Sequence, residues 1–159
     1  MGLLDTGAAF PALKVSPVGG DTFDVREYLA GNFGVVLFYR GSWCPYCAAQ
    51  LRAFQRAHDR FEQAGIKVVA LSVDSEGTTQ DLVDKHKLTF PVGHGADARA
   101  IAEATGAFVN DDPVYLQSTG FVLAPDGNVV TSVYSSGAIG RLVPEDVLGL
   151  VAHRKEATS

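Results

Sequence analysis

The sequence predicts an α/β fold in which helices cover both faces of a mixed central sheet. Two predominantly apolar runs, residues 34–39 and 66–73, are rich in β-branched and aromatic residues and have the composition of strands buried on both faces. Between them, apolar residues of 45–64 recur at spacings of three and four, which indicates one amphipathic helix. This order predicts a parallel β-α-β unit, and a later hairpin within 119–133 makes the sheet mixed.

The segment before the first central strand is expected to add a β-hairpin and a short helix. Residues 11–23 carry short apolar stretches around a Pro- and Gly-containing turn at 17–20, which predicts an N-terminal β-hairpin extension. Residues 24–30 form a predicted short helix that ends at Gly31 and Asn32.

Three further helices and the second hairpin follow. A helix over 80–87 is signalled by Thr78 and Thr79, and another runs from Asp97 to about Thr105. Strands at 119–124 and 128–133 flank a Pro-Asp-Gly turn, and the last helix spans 145–153 after Pro144. Residues 106–116 are predicted to be irregular, either a plain connector or a substrate-contact loop.

Composition favours one globular domain over residues 1–159, with a core over about 10–153. The 159 residues are 47% hydrophobic and carry a net charge of −5, with basic residues scattered along the chain. We therefore expect neither nucleic-acid binding nor membrane insertion, because no apolar run approaches the length of a membrane span. The start of the chain lacks the pattern of a secretory signal, so a cytoplasmic location is expected.

Two cysteines, Cys44 and Cys47, lie where the first central strand passes into the long helix. The carboxyl end of a parallel strand is the usual place for a site, and Pro45 fits the first helical turn. Cys44 then occupies the helix N-cap, where free N–H groups and the helix dipole stabilise a thiolate. Cys47 lies one turn further along, within disulfide reach but less exposed. We predict that Cys44 is the nucleophile and Cys47 the resolving thiol.

Three alternative roles for the cysteine pair are less favoured and stay open. A structural disulfide across so short a loop would constrain the unfolded chain by only roughly 2 kcal/mol. A zinc site needs two more ligands, and the histidines show no paired spacing. Two inert buried thiols are the third alternative. Reversible thiol chemistry is favoured, and it requires no metal and no cofactor.

Three stretches carry a resemblance to a known family: residues 38–47 (FYRGSWCPYC), 71–75 (LSVDS) and 120–127 (GFVLAPDG). Together they resemble the peroxiredoxin-like members of the alkyl hydroperoxide reductase and thiol-specific antioxidant family, over about residues 10–150. The resemblance implies a thioredoxin-like fold with an N-terminal extension. It also implies antioxidant reduction of hydroperoxides, with Cys44 at the peroxidatic position.

Two features depart from that family's pattern. Typical members place a Thr or Ser three residues before the reactive cysteine to hold the peroxide, whereas this chain has Gly41 there and Ser42 one place later. They also carry an Arg just before the strand that here begins at Gly120, where residues 117–119 read QST. Activation of a peroxide would then depend on Arg40 or on another arginine.

The cysteine motif also resembles a second group of proteins. The run WCPYC at 43–47 is similar to thioredoxin-like disulfide oxidoreductases, and its CPYC matches glutaredoxins. Those proteins place a cis-proline before the strand that faces the cysteines, where this chain has Thr119. Thiol-disulfide exchange is therefore the alternative activity, and a non-catalytic binding domain is a lesser one.

Four residues beside the cysteines are predicted to bind substrate: Arg40, Ser42, Trp43 and Thr119. Trp43 either forms a wall of the site or fills the core beneath the loop. Arg40 either stabilises the thiolate or is a solvated surface residue.

Three other polar or aromatic residues are predicted to have structural rather than catalytic roles. Tyr46 is expected on the surface of the first helical turn, His94 in a loop, and Asp74 at a cap or turn. The expected partners of the chain are a hydroperoxide or disulfide substrate, an external reductant of the thioredoxin or glutathione type, and a second copy in a homodimer.

Overall fold

The computed structural model describes residues 2–158. The strands of this part of the chain are β1 (Lys14–Val15), β2 (Phe23–Asp24), β3 (Phe33–Phe38), β4 (Ile66–Leu71), β5 (Val92–Gly93), β6 (Val109–Asp111), β7 (Val114–Leu116), β8 (Thr119–Leu123) and β9 (Val129–Tyr134). The helices are α1 (Val25–Leu29), α2 (Pro45–Arg56), α3 (His58–Ala64), α4 (Glu76–His86), α5 (Ala98–Thr105) and α6 (Pro144–Thr158). No helix within residues 2–158 combines the length and the apolar character that crossing a membrane requires.

Five strands form one mixed sheet in the order β5-β4-β3-β8-β9. β3 runs parallel to β4, with Val35 opposite Val68, which confirms the predicted parallel unit. β8 runs antiparallel to both β3 and β9, which confirms the predicted second hairpin. β1 and β2 pair antiparallel as the N-terminal hairpin, with Val15 opposite Phe23. The predicted α/β class with a mixed central sheet is therefore confirmed.

Apolar side chains of β3 alternate between two cores, because successive residues of a strand point to opposite faces. Val35 and Leu37 pack on the face covered by α2, α3, α4 and α6. Val36 and Phe38 pack on the other face with α1 and α5. Burial on both faces fixes β3 firmly and so fixes the point at which the chain leaves the sheet toward Cys44.

The predicted single helix over residues 45–64 is wrong, because it is divided at Ala57. The backbone of Ala57 has ψ near 4°, and its N–H points at the carbonyls of both Ala53 and Phe54. The rings of Phe54 and Phe61 meet edge to face with centroids 5.5 Å apart. Residues seven apart rise about 10 Å along a straight helix, so the break brings both rings into one core.

Two other element boundaries also differ from the prediction. α4 begins four residues before the predicted start, because Ser75 rather than a threonine is its N-cap and accepts a hydrogen bond from the N–H of Thr78. α6 continues beyond the predicted end at His153.

The prediction of an irregular segment over residues 106–116 is wrong for 109–116. These residues form the β6–β7 hairpin, in which Asn110 pairs with Tyr115. The short strands of this hairpin gave too little apolar alternation to be recognised. The hairpin carries Tyr115 to the site described below.

Candidate active site

Cys44 caps the N-terminus of α2, as predicted. Its backbone is extended (φ −89°, ψ 113°), and Pro45 is the first helical residue. The Sγ of Cys44 accepts a hydrogen bond from the N–H of Cys47 at 3.3 Å. The sulfur thus takes the role that a side-chain oxygen has in an ordinary N-cap.

Both sulfurs are fully buried, and no disulfide joins them. Burial by itself would raise the pKa of Cys44, yet the pKa is lowered below its ordinary value. The thiol and backbone N–H of Cys47, the Arg40 side chain and the charge of Arg141 together outweigh burial. For Cys47, burial and the hydrogen bond that it makes to Cys44 raise the pKa to about 11. The geometry therefore favours a thiolate on Cys44 and a thiol on Cys47.

Arg40 faces the thiol pair and is not the solvated surface residue of the alternative interpretation. Its Nη1 lies 3.8 Å from the Sγ of Cys44, and its backbone N–H donates to the Sγ of Cys47 at 3.3 Å. Two residues hold the guanidinium from behind: Nε donates to Oε1 of Gln117 and Nη2 to the hydroxyl of Tyr115, each at 3.0 Å. A half-buried cation is thereby fixed beside Cys44.

Trp43 lies at the surface of the site, with 55% of its area exposed. Its ring meets Tyr115 edge to face at 4.9 Å between centroids, and the guanidinium carbon of Arg40 lies 5.0 Å from the ring centre. Trp43 is therefore a wall of the site, and the alternative that it fills the core is wrong.

Gly41, the departure from the family pattern, is explained by the same indole. A Cβ atom at Gly41 would lie only 2.2 Å from Nε1 of Trp43. No side chain fits at position 41 while Trp43 packs against Tyr115, so the glycine and the tryptophan depend on each other.

Ser42 and Thr119 are the other two residues predicted to bind substrate, and each makes one hydrogen bond near the cysteines. The backbone N–H of Ser42 donates to Oδ2 of Asp74 at 2.8 Å, so Asp74 anchors the loop before Cys44. The hydroxyl of Thr119 donates to the carbonyl of Gln117 at 3.0 Å, and Thr119 pairs with Phe38 across β3 and β8. Both contacts position the neighbouring backbone.

Tyr46 and His94 lie where the sequence predicted them. Tyr46 is exposed on the first turn of α2. His94 follows β5 and lies 3.7 Å from the carboxylate of Glu76, so it faces α4.

Three residues of the site were not predicted as site residues. Arg141, from the segment after β9, places Nη2 3.3 Å from the Sγ of Cys47. Nothing in its sequence neighbourhood signals this contact, because 94 residues separate the two side chains. Tyr115 and Gln117 lie within or next to the segment singled out as a candidate contact loop, and that was the available signal for both.

His58, Asp59 and Glu62 on α3 form a group of potential metal ligands, whose ligand atoms lie within 4.8 Å of one another. Within residues 2–158 neither cysteine belongs to such a group.

Comparison with known proteins gives a consistent result over most of the chain. A family model described as AhpC/TSA family matches residues 6–132. A peroxiredoxin of Treponema denticola is 29% identical over 152 residues, covering 92% of this chain and 72% of that protein. The crystal structure of a peroxiredoxin 6 mutant of Arenicola marina superposes with a TM-score of 0.84 at 18% identity, covering 97% of this chain and 74% of that one.

A shorter match concerns a different kind of protein. The thiol-disulfide oxidoreductase ResA of Oceanobacillus iheyensis is 34% identical over 62 residues, which cover 38% of this chain and 32% of that protein. The long matches agree with the resemblance to peroxiredoxin-like proteins found in the sequence. The short match agrees with the resemblance of the cysteine motif to disulfide oxidoreductases.

Proposed function

The chain belongs to the AhpC/TSA family, whose model matches well over half of it, and on that premise we propose how its two cysteines reduce a hydroperoxide. The family membership makes it a thiol-dependent oxidoreductase of the peroxiredoxin type with a thioredoxin-like fold. In the proposal, Cys44 is the nucleophile, Cys47 is the resolving thiol and Arg40 is the cation that serves the first step.

The first step is attack of the Cys44 thiolate on the terminal oxygen of a hydroperoxide, ROOH. A sulfur–oxygen bond forms as the oxygen–oxygen bond breaks, which leaves a sulfenic acid on Cys44 and an alkoxide, RO⁻. The alkoxide takes a proton from solvent and leaves as the alcohol. The sulfur is oxidised by two electrons, and the peroxide is reduced by two.

The position of Arg40 is the observation that carries this proposal. A nucleophile needs thiolate character, and the guanidinium beside Cys44, together with the helix N-cap, favours the thiolate. The same guanidinium offers donors to the negative charge that develops on the departing oxygen. Arg40 thus supplies the positive charge and the hydrogen-bond donors that the family's usual arginine would supply. It precedes Cys44 in the sequence, whereas the usual arginine follows the reactive cysteine.

Access to the sulfur requires a movement. Cys44 has no exposed surface, whereas Trp43 beside it is more than half exposed. We propose that Trp43 swings away from Tyr115 to admit the substrate. Arg40 remains held by Gln117 during this movement.

In the second step Cys47 attacks the sulfur of the Cys44 sulfenic acid. A disulfide forms and hydroxide leaves, which becomes water with the proton that the Cys47 thiol releases. An external thiol then reduces the disulfide by exchange, and its own disulfide is the oxidised product. The reductant is of the thioredoxin or glutathione type in this proposal.

Assembly and location complete the proposal. Tyr46, Ile139 and Val143 expose large apolar surfaces and line one groove of about 320 Å³ beside the site. An apolar groove of this kind supports a homodimer. A reducing compartment such as the cytoplasm suits a cycle that consumes thiols.

Thiol-disulfide exchange is the second candidate function, and the WCPYC run with the short match to a thiol-disulfide oxidoreductase favours it. In that case Cys44 attacks a disulfide of another molecule, and Cys47 releases the mixed disulfide. The thiolate on Cys44 serves both reactions equally well.

Rapid mixing of the reduced protein with hydrogen peroxide and, separately, with glutathione disulfide distinguishes these two functions. We expect fast sulfenate formation in Cys47→Ser protein, whose nucleophile is intact, and none in Cys44→Ser protein. Slow reaction with peroxide together with fast exchange with the disulfide would contradict the peroxidase and favour the oxidoreductase.

A further inference from the structure

Arg141 is a charged side chain of the site to which the first step gives no task. It lies in the loop between β9 and α6, and its Nη2 donates to the Sγ of Cys47 at 3.3 Å. Its Nη1 donates to the carbonyl of Ala138 at 2.5 Å, while its Nε is buried without a hydrogen bond to any described residue. The guanidinium is thus fixed on the resolving sulfur.

Before oxidation, Cys47 is kept protonated by its partner. The Cys44 thiolate accepts the S–H of Cys47 and also repels a second negative charge, and both effects add to burial in raising the pKa of Cys47. Arg141 and the backbone N–H of Arg40 act in the opposite direction. In the reduced enzyme, burial and Cys44 raise the pKa of Cys47 more than Arg141 and the Arg40 backbone lower it.

Oxidation of Cys44 should change this balance. A sulfenic acid is neutral, so the charge repulsion ends, and the strong acceptor for the Cys47 proton is lost. The donors on Cys47, which lie 3.3 Å away in the reduced protein, come from Arg141 and from the Arg40 backbone and do not depend on the charge of Cys44. A charge-assisted hydrogen bond of this kind stabilises the ionised sulfur.

We propose that Arg141 stabilises the thiolate of Cys47 while it attacks the oxidised Cys44, so that two arginines divide the reaction cycle. The Arg40 side chain serves the reaction of Cys44 with the peroxide, and Arg141 serves the reaction of Cys47 with the sulfenic acid. This inference rests on the proposed function, because it requires a sulfenic acid on Cys44. In the step, Cys47 gives its proton to solvent, the S–S bond forms, and the sulfenic oxygen leaves as hydroxide and is protonated to water.

A purely structural role for Arg141 makes a different prediction. If the side chain only anchored its loop through Ala138, its removal would lower stability and leave the pH dependence of disulfide formation unchanged. The pH profile of the second step is therefore the measurement that separates the two roles.

The experiment compares Arg141→Met with Arg141→Lys and with the matched control Arg60→Gln. Arg60 is exposed and pairs with Glu145, away from the thiols. Each reduced protein is mixed with one equivalent of hydrogen peroxide over a range of pH. Quenched samples are then analysed by intact-mass spectrometry, which distinguishes sulfenic acid, disulfide and sulfinic acid.

We expect disulfide formation in Arg141→Met protein to be about tenfold slower at neutral pH, as a shift of one pKa unit in the attacking thiol implies. Its pH midpoint should move upward, and sulfenate formation should slow much less. Arg141→Lys keeps the charge and should restore part of the rate, whereas Arg60→Gln should behave as the wild type. With excess peroxide, the long-lived sulfenic acid of Arg141→Met protein should give more sulfinic acid.

The inference would be overturned if Arg141→Met protein formed the disulfide at the wild-type rate and with the wild-type pH dependence. A second test needs no substitution at Arg141: in wild-type protein the midpoint of disulfide formation should lie well below the pH at which Cys47 ionises in the reduced protein. A midpoint equal to that pH would equally overturn the inference. Failure of the proposed function is distinct, because no sulfenic acid would then form in any variant.

Discussion

Cys44 and Cys47 lie one helical turn apart and neither has exposed surface, yet their pKa values move in opposite directions. Burial disfavours the charged form of both and is the largest cause of the raised pKa of Cys47. The lowered pKa of Cys44 therefore depends on hydrogen bonds and charge that outweigh burial. Cys44 only receives hydrogen bonds, from the backbone and the thiol of Cys47 and from Arg40. Cys47 donates its own proton to Cys44. The direction of this S–H hydrogen bond, added to burial, favours a thiolate on Cys44 and a thiol on Cys47.

Selective alkylation gives the sharpest test of this comparison. The pKa of Cys44 is lowered from an ordinary 9.0, so its thiolate fraction at neutral pH is increased, whereas that of Cys47 at about 11 is decreased. A rise of two units lowers the thiolate fraction about a hundredfold relative to an ordinary thiol. Brief treatment of wild-type protein with iodoacetamide and peptide mapping should find Cys44 modified at pH 7, and Cys47 only under strongly alkaline conditions. Faster modification of Cys47 at neutral pH would reverse the assignment.

Removal of the positive charge of Arg40 is expected to have a smaller effect, on the reaction of Cys44 with peroxide. Arg40→Gln removes the charge 3.8 Å from Cys44, which should raise the pKa of Cys44 and slow its reaction with peroxide at neutral pH about tenfold. The pH dependence of sulfenate formation in a Cys47→Ser background measures this directly.

Arg56→Gln is the matched control, because Arg56 is an exposed residue at the other end of α2. It should react like the parent protein. A pH profile of Arg40→Gln protein that coincides with that of this control would show that the guanidinium does not stabilise the thiolate.

The smallest effect on the reaction with peroxide is expected for Tyr115, which contacts Arg40 rather than Cys44. Tyr115→Phe removes the 3.0 Å hydrogen bond to Nη2 of Arg40 but leaves the ring against Trp43 and the bond from Gln117. This hydrogen bond has a charged donor and is worth roughly 2 kcal/mol. Because Gln117 still holds Nε of Arg40, only part of that free energy should be lost in the reaction with peroxide, which should slow by about fivefold at most. A loss as large as that of Arg40→Gln would mean that Tyr115 itself contacts the substrate.

Much of this site could be predicted from local sequence. The Cys-Pro dipeptide places Cys44 at the N-cap and Cys47 one turn along, because a proline is tolerated in the first turn of a helix. The central strands could be predicted as well, since burial on both faces leaves a continuous apolar run. Both features depend on residues that are close together in the chain.

The remainder depends on contacts that no local pattern encodes. Arg141 reaches Cys47 across 94 positions of sequence, and Arg40 is held by two residues more than 70 positions away. The break at Ala57 has the same origin, because it serves the packing of Phe54 and Phe61 within the core rather than any helix-ending signal. Tertiary packing overrode a periodic pattern that continues through the break.

Trp43 is the sole tryptophan of the chain, and it directly precedes Cys44 in the loop between β3 and α2. All indole fluorescence of the protein therefore originates at one place, between a guanidinium, a tyrosine ring and the redox pair. A change in the oxidation state of Cys44, or an outward movement of the ring, alters the surroundings of that single emitter. The enzyme thus carries an intrinsic optical reporter, with which each step of its cycle can be timed without a label.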